Sequence, residues 1–428
     1  MPVGALMIGA GEYTTGYVPT ATGAANDKPA GVVAISFIDM KRFGKIGKLV
    51  LADAVGTKMP AVRANIAEKI GAYADMDCDM ETFPSDDVKF QKDAYKDAIA
   101  RMQKGDIVTI FTPDDTHFEI AMSCMQAGLH VMIAKPAVKT LEHHLKLCEC
   151  ARANRVLCCV EYHKRFDPIY DDARNRVRGL GSFSFFTATM TQPKQQLDTF
   201  AGWAGKSSDI SYYLNSHHID WHCWSVSHMA RPLKVVAMAA RGIAEKKLEK
   251  DYPIEDTITL MTSWEDTTTG DVGTALYTAS WASPKADSHT QQNFHYMGHK
   301  GEIRADQAKR GYTGATDADG YATMNPLYMK YVPDHSGHFA GQTGYGYVSL
   351  LKFVEAAEKV NGKEVTLEGV CAEGQLATVQ TTLYQTAILE AGRLSLDNGN
   401  RGVLIEYNNS GKPSGLTLQE EGADKKKK

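Results

Sequence analysis

Through the first third of the chain, short apolar runs alternate with segments whose apolar residues recur at helical spacing. GALMIGAG closes on glycines, as a buried parallel strand does, and KLVLAD, DIVTIFT and HVMIAKP read as three more strands. Between and after them, GVVAISFIDMKRFGK, PAVRANIAEKIGAYA, DAYKDAIARMQ, THFEIAMSCMQAG and TLEHHLKLCECARANR carry helical spacing. Pro60 stands near the start of one helix and Gly128 just past the end of another, which suits an N1 proline and a C-cap glycine. A β-α-β-α succession predicts a doubly wound parallel sheet covered by helices, with ligands at the carboxyl ends of its strands.

Near residue 157 the pattern changes. RVLCCVEY reads as a strand, and FSFFTATMTQ, LKVVAMAARG, DTITLMTSWED, GTALYTASWA and NFHYMGHKGEIRADQ then favour strands, several with period-two alternation. Their spacing predicts a large, mostly antiparallel open sheet. Two late helices, GYVSLLKFVEAAEKV and CAEGQLATVQTTLYQTAILEAGRLS, are expected to cover one of its faces. The expected division is a Rossmann domain over 1–157, an α+β domain over 158–407 and a disordered charged tail over 408–428 ending in four lysines. The fold class is α/β with a second, α+β domain, and no fixed-period repeat is present.

Composition narrows the partners. The chain has 428 residues, 47 Lys+Arg against 51 Asp+Glu and a formal charge of −4, so no basic field awaits a nucleic acid. With 43% hydrophobic and 23% charged residues it sits near the globular average. No apolar run nears the roughly 20 residues of a membrane span, and no leader pattern opens the chain. The eight cysteines form no C-x-x-C pair and lie mostly in apolar segments, as reduced thiols do, which predicts a cytoplasmic protein.

The candidate chemistry begins at Gly9-Ala10-Gly11, directly after the first strand. Glycines there let backbone approach a pyrophosphate. The fingerprint G-x-G-x-x-G is broken, because Thr14 replaces the third glycine and Gly16 comes two residues late. Glu12 to Lys28 therefore reads as an insertion, with the helix expected to start only near Pro29-Ala30-Gly31. Glu12, Tyr13 and Thr14 join the glycines as cofactor candidates. Asp53, closing KLVLAD, is placed for a ribose hydroxyl or as a turn cap. Thr57 and Lys58 beyond it, with Arg63 near, tip the expectation to NADP(H) over NAD(H).

DIVTIFTPDDTHFEIAMSCMQAGLHVMIAKP carries the sharpest pattern: Thr112-Pro113, His117, Gly128, His130 and Lys135-Pro136. It resembles the Gfo/Idh/MocA oxidoreductases, in which Glu-Lys-Pro closes this stretch; Ala134 stands here in place of the Glu. Glu161-Tyr162-His163-Lys164-Arg165-Phe166, His217-His218-Ile219-Asp220, Glu255-Asp256-Thr257 and Gly298 to Gly301 extend the likeness over about residues 1 to 407. GAGEYTTG, AKP and LNSHHIDWHCW look, within it, like the fungal-type D-galacturonate reductases.

The resemblance implies a catalytic Lys135, a cis Pro136, and His217 as proton-transfer residue with Tyr213 one turn ahead. It implies that Thr112, Pro113 and His117 line the cofactor site. Tyr162, His163, Lys164, Arg165, Asn215 and His218 are the substrate candidates, with Lys164 and Arg165 suited to a uronate carboxylate. For Arg165 a structural ion pair is an equal reading. The cluster His217, His218, Asp220, His222, Cys223 is read as no metal site, and His218 and His222 also fit ordinary buried histidines. The expected activity is NADPH-dependent reduction of the C1 aldehyde of D-galacturonate to L-galactonate in a homodimer. The alternatives are a dehydrogenase of inositols or neutral sugars, and a non-catalytic Gal80-like regulator.

Overall fold

The computed structural model describes residues 2–19, 28–288, 290–317 and 320–420. It divides into two compact units, the first made of Met1–Ala137, Lys146–Asp167 and Pro326–Thr381, the second of Val138–Leu145, Pro168–Asn325 and Thr382–Lys428. The boundary expected at 157 and the single span 158–407 give way to this interleaved arrangement.

In the first unit, β1 (Val3–Ile8), β2 (Ile46–Ala52), β3 (Glu81–Phe83), β4 (Ile107–Ile110), β5 (His130–Ala134) and β6 (Cys158–Glu161) form one parallel sheet in the order β6-β5-β4-β1-β2-β3. Ala377–Thr378 adds an antiparallel edge beside β6. Every residue of β1 is buried, which a continuous apolar run requires when helices cover both faces. The helix Tyr345–Asn361 was expected on the second sheet. Instead its buried stripe Leu350, Phe353, Val354 and Ala357 belongs to the first unit's core, with Phe37, Ile38 and Leu51. Helical spacing reveals which residues are buried but not which sheet they meet.

The second unit holds an eight-stranded sheet. Its strands are β7 (Phe183–Pro193), β8 (Ala230–Arg241), β9 (Glu255–Asp266), β10 (Val272–Ser283), β11 (Gln291–Gly298) and β12 (Gly301–Asp306), followed by Val403–Tyr407 and Pro413–Leu418. Neighbours pair antiparallel except β10 with β7. The other late helix expected here is broken: Leu367–Glu373 ends at Gly374 in the left-handed region, and Leu383–Asp397 starts afresh. That last helix lies on this sheet so closely that a Cβ at Gly392 would stand 2.6 Å from a Leu260 methyl. The expected disordered tail also needs correcting. Asn408–Gly411 makes a turn, and Pro413–Leu418 returns along Val403–Tyr407 as an edge strand. The four-lysine run lies outside the described residues.

The helix Ser216–Val226 is buried along its whole length. His222 stacks on Phe186 at 4.5 Å and 9°, and its Nδ1 lies 2.6 Å from the Tyr277 hydroxyl. Burial pushes its pKa down to about 3. The unfolded chain takes up this proton near pH 6.5 and the folded chain does not, so stability falls as pH drops from 6.5 towards 3. Between pH 7.5 and 5 the wild type should lose about 2 kcal/mol more than His222→Asn, read from urea unfolding midpoints.

Candidate functional site

The carboxyl ends of β1, β2, β4, β5 and β6 gather the first unit's candidate residues. After β1, Gly9 adopts φ +99° and donates its N–H to the Ala52 carbonyl at 2.8 Å. A Cβ there would stand 2.1 Å from the Phe111 carbonyl oxygen, so this crossing of β1 and β4 admits only glycine. Gly11 is exposed and a Cβ there would meet nothing within 4 Å, which leaves open space over the loop. A turn of helix, α1 (Glu12–Thr15), follows at once, contrary to the expected start near residue 29.

Gly16, with φ +73°, caps α1, and its backbone packs directly against Gly31. The Val32 N–H donates to the Tyr13 carbonyl at 2.7 Å, so α2 (Val33–Arg42) takes up where α1 stopped. The insertion therefore begins after Gly16, not at Glu12, and residues 20–27 lie outside the described residues. Thr14, in the third-glycine position, is buried, and Glu12 is half-buried.

Asp53 closes β2 and fastens the loop. Its carboxylate accepts the Ala10 N–H at 2.9 Å and the Val55 N–H at 3.1 Å, and the Lys58 ammonium lies 2.7 Å from it. Thr57 lies within the 3₁₀ turn Gly56–Lys58. Arg63, expected near the ribose end, is engaged bidentately by Asp86 and also donates to Thr82 at 3.0 Å.

His117 joins the ends of β4 and β5. It is fully buried, and its ring nitrogens lie 2.9 Å from the Thr112 carbonyl and 3.0 Å from the Pro136 carbonyl. Thr116 ties the same turn by donating to the Pro113 carbonyl at 2.7 Å. The Lys135–Pro136 peptide bond is cis. Lys135, half-buried at the end of β5, has its pKa pushed down to about 8. Burial is the main cause, resisted by the charges of Asp114 and Glu161 and aided by Lys28.

At the end of β6, the Glu161 carboxylate lies 3.0 Å from His163 Nδ1 and accepts the Ser349 hydroxyl at 3.1 Å. Tyr13 Oη lies 3.5 Å from the same ring nitrogen, and its ring stacks on Phe111 at 4.8 Å. Burial and the Glu161 charge push the Tyr13 phenol well up. Sequence reasoning left Glu161 and Asp114 out of the site. The available signal for Glu161 was a carboxylate ending the apolar run VLCCV, where an uncompensated charge would be costly.

The remaining candidates divide. Tyr162, Lys164 and Arg165 are buried, and Arg165 donates to the Gly374 carbonyl at 3.2 Å, so its guanidinium is built into the first unit. Tyr213, Asn215, His217 and His218 sit along one helix of the second unit, across its π turn Ser211–Asn215 and the first turn of Ser216–Val226. The Tyr213 ring leans on Phe200 at 4.9 Å and Trp203 at 5.3 Å. Asn215 donates to Ser211 Oγ at 3.0 Å and the Ile258 carbonyl at 3.3 Å. His218 is buried with Nε2 3.0 Å from the Tyr170 hydroxyl, a setting that suits its other reading as an ordinary buried histidine. His217 is 5% exposed. Among the described residues no group of three His, Cys, Asp or Glu is arranged to hold a metal ion.

Residues 3–162 match the family described as oxidoreductase family, NAD-binding Rossmann fold (GFO_IDH_MocA). The chain is 33% identical over 72 residues to the scyllo-inositol 2-dehydrogenase (NAD(+)) of Bacillus subtilis, covering 17% of this chain and 21% of that one. It is 28% identical over 143 residues to the scyllo-inositol 2-dehydrogenase (NADP(+)) IolW of the same organism, 33% and 40% respectively. The matched segments thus span well under two thirds of these relatives. Among solved structures, an inositol dehydrogenase homolog complexed with NADH and myo-inositol from Azotobacter vinelandii superposes with a TM-score of 0.63 at 17% identity, covering 94% of this chain and 97% of that one. A myo-inositol 2-dehydrogenase from Lactobacillus plantarum gives 0.62 at 15% identity, covering 95% and 100%. The fold is shared along nearly the whole chain.

The glycine crossing makes a direct expectation. Gly9→Ala should weaken NAD(P)H binding at least about tenfold, because the loop must leave Phe111 to make room for the methyl. Quenching of protein fluorescence during titrations with NADH and with NADPH measures it.

Proposed function

With residues 3–162 placed as an NAD-binding Rossmann domain, we propose that this chain is an NAD(P)(H)-dependent oxidoreductase. It would interconvert an alcohol of a sugar-class molecule and the corresponding carbonyl. The observation that carries the reading is the lysine at the end of β5. Lys135 follows a strand buried but for its last residue, precedes the Pro136 whose carbonyl His117 bridges, and has its pKa pushed down to about 8. A lysine tuned to about 8 can give or take a proton at working pH, which an ordinary solvated lysine does poorly.

The residues present fit a dinucleotide. Gly11 leaves its phosphates open space, Gly9 lets the loop turn against Phe111, and Glu12, Tyr13 and Thr14 continue that loop. Thr112, Pro113 and His117 form the turn beside Lys135 and Pro136. The bound dinucleotide would supply or accept hydride at the carbinol carbon. In the oxidising direction, the Lys135 amine takes the hydroxyl proton as the C–O bond becomes double. In the reducing direction, the ammonium hydrogen-bonds the carbonyl oxygen and returns that proton. His217 and Tyr213 are assigned to proton transfer on the resemblance described above.

For the cofactor we take NADP(H) over NAD(H). Asp53 is already engaged by two backbone N–H groups and Lys58, which leaves its carboxylate poorly available to a ribose hydroxyl. Lys58 would exchange its Asp53 partner for a 2′-phosphate, to which Thr57 adds a hydroxyl. Arg63 adds less than expected, since Asp86 holds it.

For the substrate, a neutral cyclic polyol such as an inositol ranks first. Several of the matched relatives bear inositol dehydrogenase names, while others name a D-glucoside or UDP-N-acetylglucosamine. The uronate reading leaned on Lys164 and Arg165, both 2% exposed, and Arg165 serves the Gly374 carbonyl. Reduction of D-galacturonate to L-galactonate stands second, supported by the Lys164 ammonium just beyond Glu161 and by the resemblance of GAGEYTTG and LNSHHIDWHCW. A homodimer fits the exposed Met238, Met261 and Leu276 on β8, β9 and β10. No helix of the described residues is long and apolar enough to cross a membrane.

Absorbance at 340 nm should report NADP+ reduction with scyllo- or myo-inositol, and little NADPH oxidation with D-galacturonate. Turnover only with galacturonate would reverse the order of substrates. No turnover with any polyol, sugar or uronate, despite dinucleotide binding, would favour a regulator. Lys135→Met should lower kcat at saturating cofactor by at least about 100-fold while the variant still binds NADPH. Lys58→Ala should raise the KM for NADP+ about tenfold and leave that for NAD+ nearly unchanged.

A further inference from the structure

The end of β6 carries a buried carboxylate to which the proposed reaction gives no role. Glu161 is 3% exposed, and its carboxylate is surrounded by groups able to satisfy it: Ser349 Oγ at 3.1 Å, His163 Nδ1 at 3.0 Å and the nearby Tyr13 phenol. The strand register pairs Glu161 with Ala134, the residue before Lys135, and alanine adds no charge there. The charged groups acting on Lys135 are Asp114, Glu161 and Lys28, two favouring its ammonium and one opposing it. A buried carboxylate needs hydrogen-bonding partners, and Ser349 and His163 provide them for Glu161.

We propose that Glu161 is a positioning residue for Lys135: from the neighbouring strand it adds to Asp114 a second negative charge that holds the lysine's proton. The inference rests on the role given to Lys135 above. His163 and Ser349 fix the carboxylate, and Tyr13 ties the glycine loop to the same charge. A site built this way places its lysine's counter-charge across the sheet rather than along the strand.

The test reads the proton of Lys135 directly. In the full-length protein with reductively ¹³C-methylated lysines, the Lys135 signal is the one lost in Lys135→Arg. Its midpoint should fall by about half a unit to one unit in Glu161→Gln, a three- to tenfold weaker hold on the proton. Ala134→Glu in the same background should restore it, because the carboxylate returns at the paired position. An unchanged midpoint in folded Glu161→Gln, or a fall that Ala134→Glu does not reverse, overturns the proposal. Should Glu161→Gln lack a cooperative melt, Ala134→Glu alone decides. A rise of about half a unit supports charge coupling at this register position, and no rise overturns it. Undiminished turnover by Lys135→Met would defeat the proposed function and leave this coupling standing. An inactive Lys135→Met with an unmoved midpoint would do the reverse.

Discussion

Everything proposed for this chain depends on an ammonium held partly out of water at the end of a buried strand. Burial pulls the Lys135 pKa down from its ordinary value. Two carboxylates, Asp114 and Glu161, oppose that pull, and the balance leaves the group near 8. Were burial weaker, the lysine would stay charged at all working pH. Were the carboxylates absent, its pKa would sit lower still. Acid–base chemistry at neutral pH needs the balance between them.

The surrounding structure fixes where that balance operates. His117 links the turn after β4 to the carbonyl of Pro136, so the two strand ends cannot separate without breaking a buried bridge. Asp53 does the same between β2 and the glycine loop. Gly9 allows β1 and β4 to approach within a distance no side chain tolerates. These are local devices, each made by one residue whose type has few substitutes, and together they hold several strand ends as one rigid rim.

That division explains what was legible beforehand. The alternation of apolar runs and helical stripes disclosed the parallel sheet and its helices, because burial on both faces leaves a strong periodic trace. The glycine loop and Lys135-Pro136 were legible as motifs. The helix Tyr345–Asn361 was legible as an element but not as part of the first unit, since an apolar stripe does not name its partner. Pro413–Leu418 was hidden by its polar setting, being an edge strand whose apolar residues are few: Pro413 buried, Leu416 and Leu418 half-buried. Arg165 reads in sequence as a ligand for carboxylates, and only the structure reveals that its guanidinium meets the Gly374 carbonyl. Glu161 escaped for a related reason. Its importance comes from its register beside Ala134, which no linear pattern displays.

The most direct test is the pH dependence of kcat/KM for oxidation of the proposed polyol substrate, compared between the wild type and Lys135→Arg. Oxidation needs the neutral amine, so the wild-type value should climb about tenfold per unit below pH 8 and level off above it. Arginine, charged throughout, should leave only a small residual rate without that break. A break near 8 that persists in the arginine variant, or a wild-type profile flat across that range, would contradict the account.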